Sequence, residues 1–262
     1  MSAAHRLQVR LLREGFMTPK ELYQAGRLSA AIQALGAELR DNPADVRRRT
    51  FLFELLCFAG EYDRAEKHLD VLAQQGPDSA TGALMYRGAL NGERMRQDLF
   101  IRKEFPATDA GGPAEMPLRG SLNGKAFESL EDADPRIGSR LEIFAAGQYM
   151  WLPLAHIASI EVSPPKRLRD LLWMPALVRT GPAFKGTDLG EVLVPAISPL
   201  SFRHADEAVK LGRSTVWEEQ ENGDVVPFGQ KTLLVDGEDL AMLELRQLEI
   251  AAPEAEQHAS AQ

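Results

Sequence analysis

Apolar and small residues recur at helical spacing through the first part of the chain, and they do so twice in one register. Ala31 and Leu35 lie four residues apart, as do Ala65 and Leu69. Residues at i and i+4 share one face of a helix, so each pair marks a face that packs inward. The spacing predicts helices over 18–25, 27–40, 44–58 and 62–75. Thr18, followed by Pro19 and Glu21, supplies a cap and first turn for the first of them. A further pair over 79–90 and 93–104 has helical composition without the repeat's Gly or Ala, as degenerate end units of helical arrays do.

Beyond residue 117 the pattern changes to the β period. Leu141–Phe144 and Tyr149–Leu152 flank Ala145-Ala146-Gly147-Gln148, a hairpin signal. Ala158–Val162, Glu191–Val194 and Lys231–Val235 alternate as strands do, and Met242–Ile250 alternates long enough to be expected as the longest strand. Lys166–Trp173 has the spacing of one short amphipathic helix. The tail from Ala251, rich in Ala, Glu and Gln, is expected to fray.

The two helical blocks are copies of one unit. Ala25-Gly26-Arg27-Leu28, Ala31, Leu35 and Pro43 recur as Ala59-Gly60-Glu61-Tyr62, Ala65, Leu69 and Pro77, always 34 residues on. That is the period of the tetratricopeptide helix-turn-helix. Gly26 and Gly60 fall between the two helices, where a small residue permits close crossing and a positive φ. Pro43 and Pro77 close the units because proline ends a helix.

Charge and proline divide the chain at the same place. Residues 1–105 carry sixteen Lys and Arg against fourteen Asp and Glu, and the remainder fourteen against twenty-four. Thirteen of the sixteen prolines follow residue 105, so long helices are improbable there. The expected fold is therefore α+β: a tetratricopeptide-like helical domain over 1–105, a linker over 106–117, a β-rich domain over 118–250 and a flexible tail over 251–262. No apolar run approaches the ~20 residues that cross a bilayer, and the start lacks an apolar signal core, which points to a cytoplasmic chain with no membrane partner.

Catalytic and metal signatures do not emerge. The five histidines, His5, His68, His156, His204 and His258, show no ligand spacing, and the single Cys57 lies in an apolar run that suits a buried thiol. No cofactor or metal is expected. Gly120–Lys125 resembles a phosphate loop but has too few residues between its glycines, and reads as a turn. Glu131, Asp132 and Asp134 cluster before Pro135 and are expected to form a solvated turn that Asp134 fixes. Arg47-Arg48-Arg49 and Lys166-Arg167-Leu168-Arg169 are the dense basic clusters, yet a chain of net charge −8 and pI ≈ 5.3 lacks the footprint of nucleic-acid binding. At a helix start the first cluster opposes the macrodipole. Two partners fit it, Asp41 and Asp45 of the chain itself or the acidic side chains of another protein.

Arg48–Gly60 with Asp63-Arg64-Ala65 resembles the ImpE family, also called TagJ, of bacterial type VI secretion. The resemblance continues through Asp132–Arg136, Gly147–Pro153, Pro164-Pro165 with Leu168–Trp173, Leu211–Trp217 and Gly229-Gln230-Lys231, and departs at Pro195–Leu200. It implies a non-enzymatic adaptor that contacts the N-terminal helix of the small sheath subunit and ClpV, the AAA+ ATPase that disassembles contracted sheath. A helical array fits such a role because its groove takes an amphipathic helix. On repeat geometry the groove candidates are Tyr23, Arg47, Phe51, Glu54 and Phe58, with Phe51 and Phe58 fitting core positions equally well. The alternative is a helical-repeat scaffold for an unrelated protein.

Overall fold

The computed structural model describes residues 17–106, 118–181, 184 and 189–251. Among the described residues five helices come first: α1 Pro19–Gln24, α2 Leu28–Asp41, α3 Val46–Phe58, α4 Tyr62–Ala73 and α5 Pro77–Arg102. Thr18 caps α1 in a capping box, its Oγ1 accepting from the Glu21 N–H at 3.3 Å while the Glu21 carboxylate accepts from the Thr18 N–H at 2.7 Å. Asp45 caps α3 by accepting from the Arg48 N–H at 2.9 Å.

Gly26 and Gly60 occupy equivalent bends, with φ of +75° and +71°. At the first, the Gly26 N–H bonds Tyr23 O and the Arg27 N–H bonds Leu22 O; at the second, the Gly60 N–H bonds Cys57 O and the Glu61 N–H bonds Leu56 O. Each pair is the Schellman closure of a helix end, which requires the left-handed residue that glycine supplies at least cost. The 34-residue period is thus a period of backbone geometry as well as of side chains.

The expected pair over 79–90 and 93–104 is instead the single 26-residue helix α5. Gly92 leaves the helix unbroken, and its missing side chain is used for packing: a Cβ there would stand 2.6 Å from the Phe144 ring. Close approach of two chains, not a bend, accounts for this glycine.

The β-rich part holds β1 Gly120–Leu122, β2 Lys125–Phe127, β3 Leu130–Asp132, β4 Arg140–Ala145, β5 Gln148–Pro153, β6 Ile157–Val162, β7 Trp173–Thr180, β8 Gly190–Pro195, the short helix α6 Glu207–Lys210, and then β9 Thr215–Glu219, β10 Val225–Gly229, β11 Thr232–Val235, β12 Glu238–Ala241 and β13 Gln247–Ile250. Eight strands form one antiparallel sheet in the order β2-β1-β13-β6-β7-β8-β4-β5, with β12-β11-β3 and β10-β9 as smaller sheets. Gly120–Lys125 holds β1, the two-residue turn Asn123-Gly124, both at positive φ, and the first residue of β2.

Three strand-region expectations need correction. Met242–Ile250 is a 3₁₀ turn over Met242–Glu244 followed by the four-residue β13, because the buried positions Met242, Leu245 and Leu248 are spaced by three rather than two. The longest strand is β7, with eight residues. Lys166–Trp173 is a single 3₁₀ turn over Leu168–Leu171, held by Asp170, whose carboxylate accepts from the Lys166 and Arg167 N–H groups at 2.9 Å. The acidic turn is not solvated: Asp132 and Asp134 are buried, though Asp134 does fix the bend by accepting from the Arg136 N–H at 3.0 Å and its guanidinium. Apart from Pro106 and Ala251, the linker and tail lie outside the described residues.

Two cores result. One fills the space inside the large sheet with Leu141, Ile143, Ile160, Val178, Val194 and Leu248 among others. The second is shared: repeat residues Leu28, Leu35, Leu56, Phe58 and Leu90 pack with Leu172, Trp173, Ile197 and Leu211 from beyond the linker. Burial of this size, at about 25 cal/mol per Å² of apolar surface, holds the helical and β-rich parts together.

Candidate functional site

The predicted groove faces the β-rich domain. Arg47, Phe51, Glu54 and Phe58 do fall on one side of α3, since they are spaced by four, three and four residues. Their environments differ sharply along that line. Phe58 is 2% exposed and Glu54 is 7% exposed, while Phe51 is half-buried and Arg47 exposed. Tyr23 on α1 meets Phe51 edge to face, with ring centroids 5.8 Å apart.

Glu54 and Phe58 are therefore not open groove residues. The 3₁₀ turn and β7 enter the concave side: Arg169 Nη1 reaches the Glu54 carboxylate at 2.7 Å, and the Arg169 guanidinium lies 4.6 Å above the Tyr86 ring. Trp173 stacks on Tyr86 with centroids 6.4 Å apart. Burial pushes the Glu54 carboxyl upward against the pull of Arg169. A cavity of about 20 Å³ remains between Cys57, Phe58, Trp173 and Ser198, enough for a water molecule and no larger ligand.

At the outer end the groove stays partly accessible. Arg213 reaches it from the loop before β9, its guanidinium 4.6 Å above the Tyr23 ring and donating to Tyr23 O at 2.6 Å and Gln24 O at 2.9 Å. These carbonyls belong to the last turn of α1, where a cation complements the helix dipole. In the Arg47–Arg49 cluster the ion pairs among the described residues run from Arg48 to Asp45, as expected from sequence, and to Glu38 rather than Asp41.

A polar cluster fastens α5 to the β-rich domain beneath this surface. The Arg96 guanidinium bonds the Glu142 carboxylate at 2.7 and 2.9 Å, Glu93 at 3.1 Å and Ile197 O at 3.0 Å. Lys231 Nζ completes it, 2.5 Å from Glu142 and 2.6 Å from Asp132. Tyr149 donates to Glu142 at 2.5 Å and Trp173 to Glu93 at 3.0 Å. Burial drives the Glu142 carboxyl up, but Arg96 and Lys231 together hold it well below the usual carboxylate range. Burial pushes the Cys57 thiol well above its ordinary value, which disfavours the nucleophilic thiolate. Among the described residues no group of three or more His, Cys, Asp or Glu side chains could hold a metal ion.

Sequence reading gave Arg96, Glu142 and Lys231 no place in a site, the last two standing in predicted strands, and it treated Arg169 as one member of a basic cluster. The spacing from Glu54 to Arg169 is 115 residues, and no local pattern signals a pair that distant.

Comparison with known proteins agrees with the architecture. The tetratricopeptide repeat model matches residues 22–86, and the model described as ImpE protein matches residues 124–249. The chain is 30% identical to the type VI secretion system accessory component TagJ of Pseudomonas aeruginosa, over 97% of this chain and 98% of that protein. The chain belongs to the ImpE family. The crystal structure of protein VPA1032 from Vibrio parahaemolyticus has the same fold, with a TM-score of 0.76 at 23% identity over 90% of this chain and 98% of that one. As an ImpE-family member the chain thus carries both the repeats and the β-rich domain of its relatives. Among the described residues no helix is long and apolar enough to cross a membrane.

Proposed function

We propose that this chain is a non-enzymatic, cytoplasmic adaptor of type VI secretion that binds the N-terminal helix of the small sheath subunit and links the sheath to the ClpV ATPase. The observation that carries this reading is the 30% identity to the accessory component TagJ along 97% of the chain. A tetratricopeptide-like array is physically suited to it, because paired helices present grooves to a partner helix.

Occupation of the inner groove by Arg169 and Trp173 restricts where that helix can sit. The reading therefore assigns it to the outer end, at Tyr23, Arg47 and Phe51. Arg47 has no ion pair among the described residues and is placed to meet an acidic side chain. Calorimetric titration of the full chain with a synthetic peptide of the sheath subunit's N-terminal helix tests this. Saturable binding that Arg47→Glu weakens supports the assignment, and absence of binding to the intact chain overturns it. Co-purification with ClpV tests the second partner separately.

A further inference from the structure

The β9–β10 ribbon is a sheet of its own, with no third strand among the described residues. Its register sets Trp217 opposite Pro227 and Glu219 opposite Val225. Side chains alternate across a strand, so Trp217, Glu219 and Val225 share one face, and Val216, Glu218, Val226 and Phe228 the other. The second face is anchored: Val226 is fully buried, Phe228 lies 6.2 Å from the His204 ring, and His204 Nε2 is 3.2 Å from Glu218. The first face, which also carries Pro227, looks outward at Trp217 and Val225, 43% and 49% exposed, while Pro227 opposite Trp217 is buried.

We propose that this outward face is a docking surface for a basic segment of a partner protein, anchored on the Trp217 indole. The charge around it selects the occupant. From Ser214 to Gln230 there is no Lys or Arg, whereas Glu218, Glu219, Glu221 and Asp224 all lie within or beside the turn that joins the strands. Glu219 and Glu221 make no ion pair among the described residues. Carboxylates on a free strand edge suppress pairing with neutral strands, which explains the acids but not an exposed Trp beside an exposed Val. An indole face flanked by unpaired carboxylates is a receptor for Arg or Lys, since the ring quadrupole and the carboxylates attract the same cation. Val225 then receives an aliphatic side chain next to that cation. Acidic polymers and anionic lipid surfaces are repelled by the same charges. This surface lies on the β-rich domain and stands apart from the adaptor reading, which concerns the helical groove.

The test uses the full chain and a short synthetic peptide of arginine, leucine and glycine, with a glutamate-for-arginine peptide as control. Calorimetry is expected to show binding of the arginine peptide only, with a blue shift of Trp217 emission that vanishes in Trp217→Phe. Trp217→Ala and the double variant Glu219→Lys/Glu221→Lys are each expected to weaken it about tenfold, with circular dichroism unchanged. Equal affinity of wild type and Trp217→Ala would reduce the effect to unspecific charge attraction and overturn the proposal, as would failure of the wild type to bind. Binding that emerges only after removal of residues 1–16, which include Arg6, Arg10 and Arg13, would assign the surface to the chain's own segment and overturn a partner role.

Discussion

Arg96 and Glu142 meet through two parallel hydrogen bonds of 2.7 and 2.9 Å across the contact between α5 and the β-rich domain. Both are buried, so neither charge can be met by water if the other is lost. Arg96→Ala should therefore destabilise the fold by about 3–5 kcal/mol, the range for breaking one side of a buried pair. Urea denaturation followed by circular dichroism measures it; a loss below about 1 kcal/mol would mean that water enters the cluster.

The same cluster makes stability depend on pH. Three buried carboxylates, Glu93, Asp132 and Glu142, face two cations, Arg96 and Lys231, so full ionisation leaves one negative charge in excess. Burial pushes the Asp132 carboxyl up to about 6 against the attraction of Lys231. The unfolded chain releases this proton near 3.8, so between that value and about 6 the folded chain holds a proton that the unfolded chain does not. Stability contributed by Asp132 thus falls as pH rises through that window, by roughly 3 kcal/mol in total. Glu142 acts in the opposite sense, its contribution lost as pH falls below the ordinary carboxylate value. Comparing Asp132→Asn with wild type by urea denaturation across pH 4 to 7 isolates the first effect. The variant should gain on the wild type as pH rises, and a constant difference would show that Asp132 titrates normally.

Two helical glycines give opposite expectations for one substitution. Gly36 in α2 has open space around its Cβ position, so Gly36→Ala should stabilise by about 0.5–1 kcal/mol through helix propensity and reduced unfolded-state entropy. At Gly92 the added methyl meets the Phe144 ring at 2.6 Å. Overpacking outweighs propensity there, and Gly92→Ala should destabilise by about 1–3 kcal/mol. Thermal denaturation of both variants in one buffer checks the pair; a stabilised Gly92→Ala would show that α5 and β4 can separate without loss.

The repeats were legible because their determinants are local. A glycine at positive φ after each first helix, and an Ala and a Leu one turn apart in each second helix, define the unit without reference to anything distant. The β-hairpin at Ala146 and Gly147 was legible for the same reason, both residues standing at positive φ between β4 and β5. The unbroken length of α5 was not legible, because the contact of Gly92 with Phe144 that helps hold it against β4 joins positions 52 residues apart. The closure of the groove was not legible: Arg169 reaches α3 from 115 residues away and Arg213 reaches the end of α1 from about 190, and only the tertiary fold brings them there.

That closure separates two phenylalanines that sequence spacing treats alike. Phe58 is buried in one core with Leu172 and Trp173, so Phe58→Ala should cost about 3–5 kcal/mol and lower the denaturation midpoint before any partner is added. Phe51 is half-buried beside Tyr23, and Phe51→Ala should cost roughly half as much while leaving circular dichroism native. On the adaptor reading, Phe51→Ala then weakens the sheath peptide by an amount its stability loss does not explain, because the folded fraction at 25 °C remains near unity. Parallel denaturation and calorimetry on both variants separate the cases. Equal destabilisation by the two substitutions would mean that the outer groove is as closed as the inner one, and the partner helix would then have to engage a surface other than Tyr23, Arg47 and Phe51.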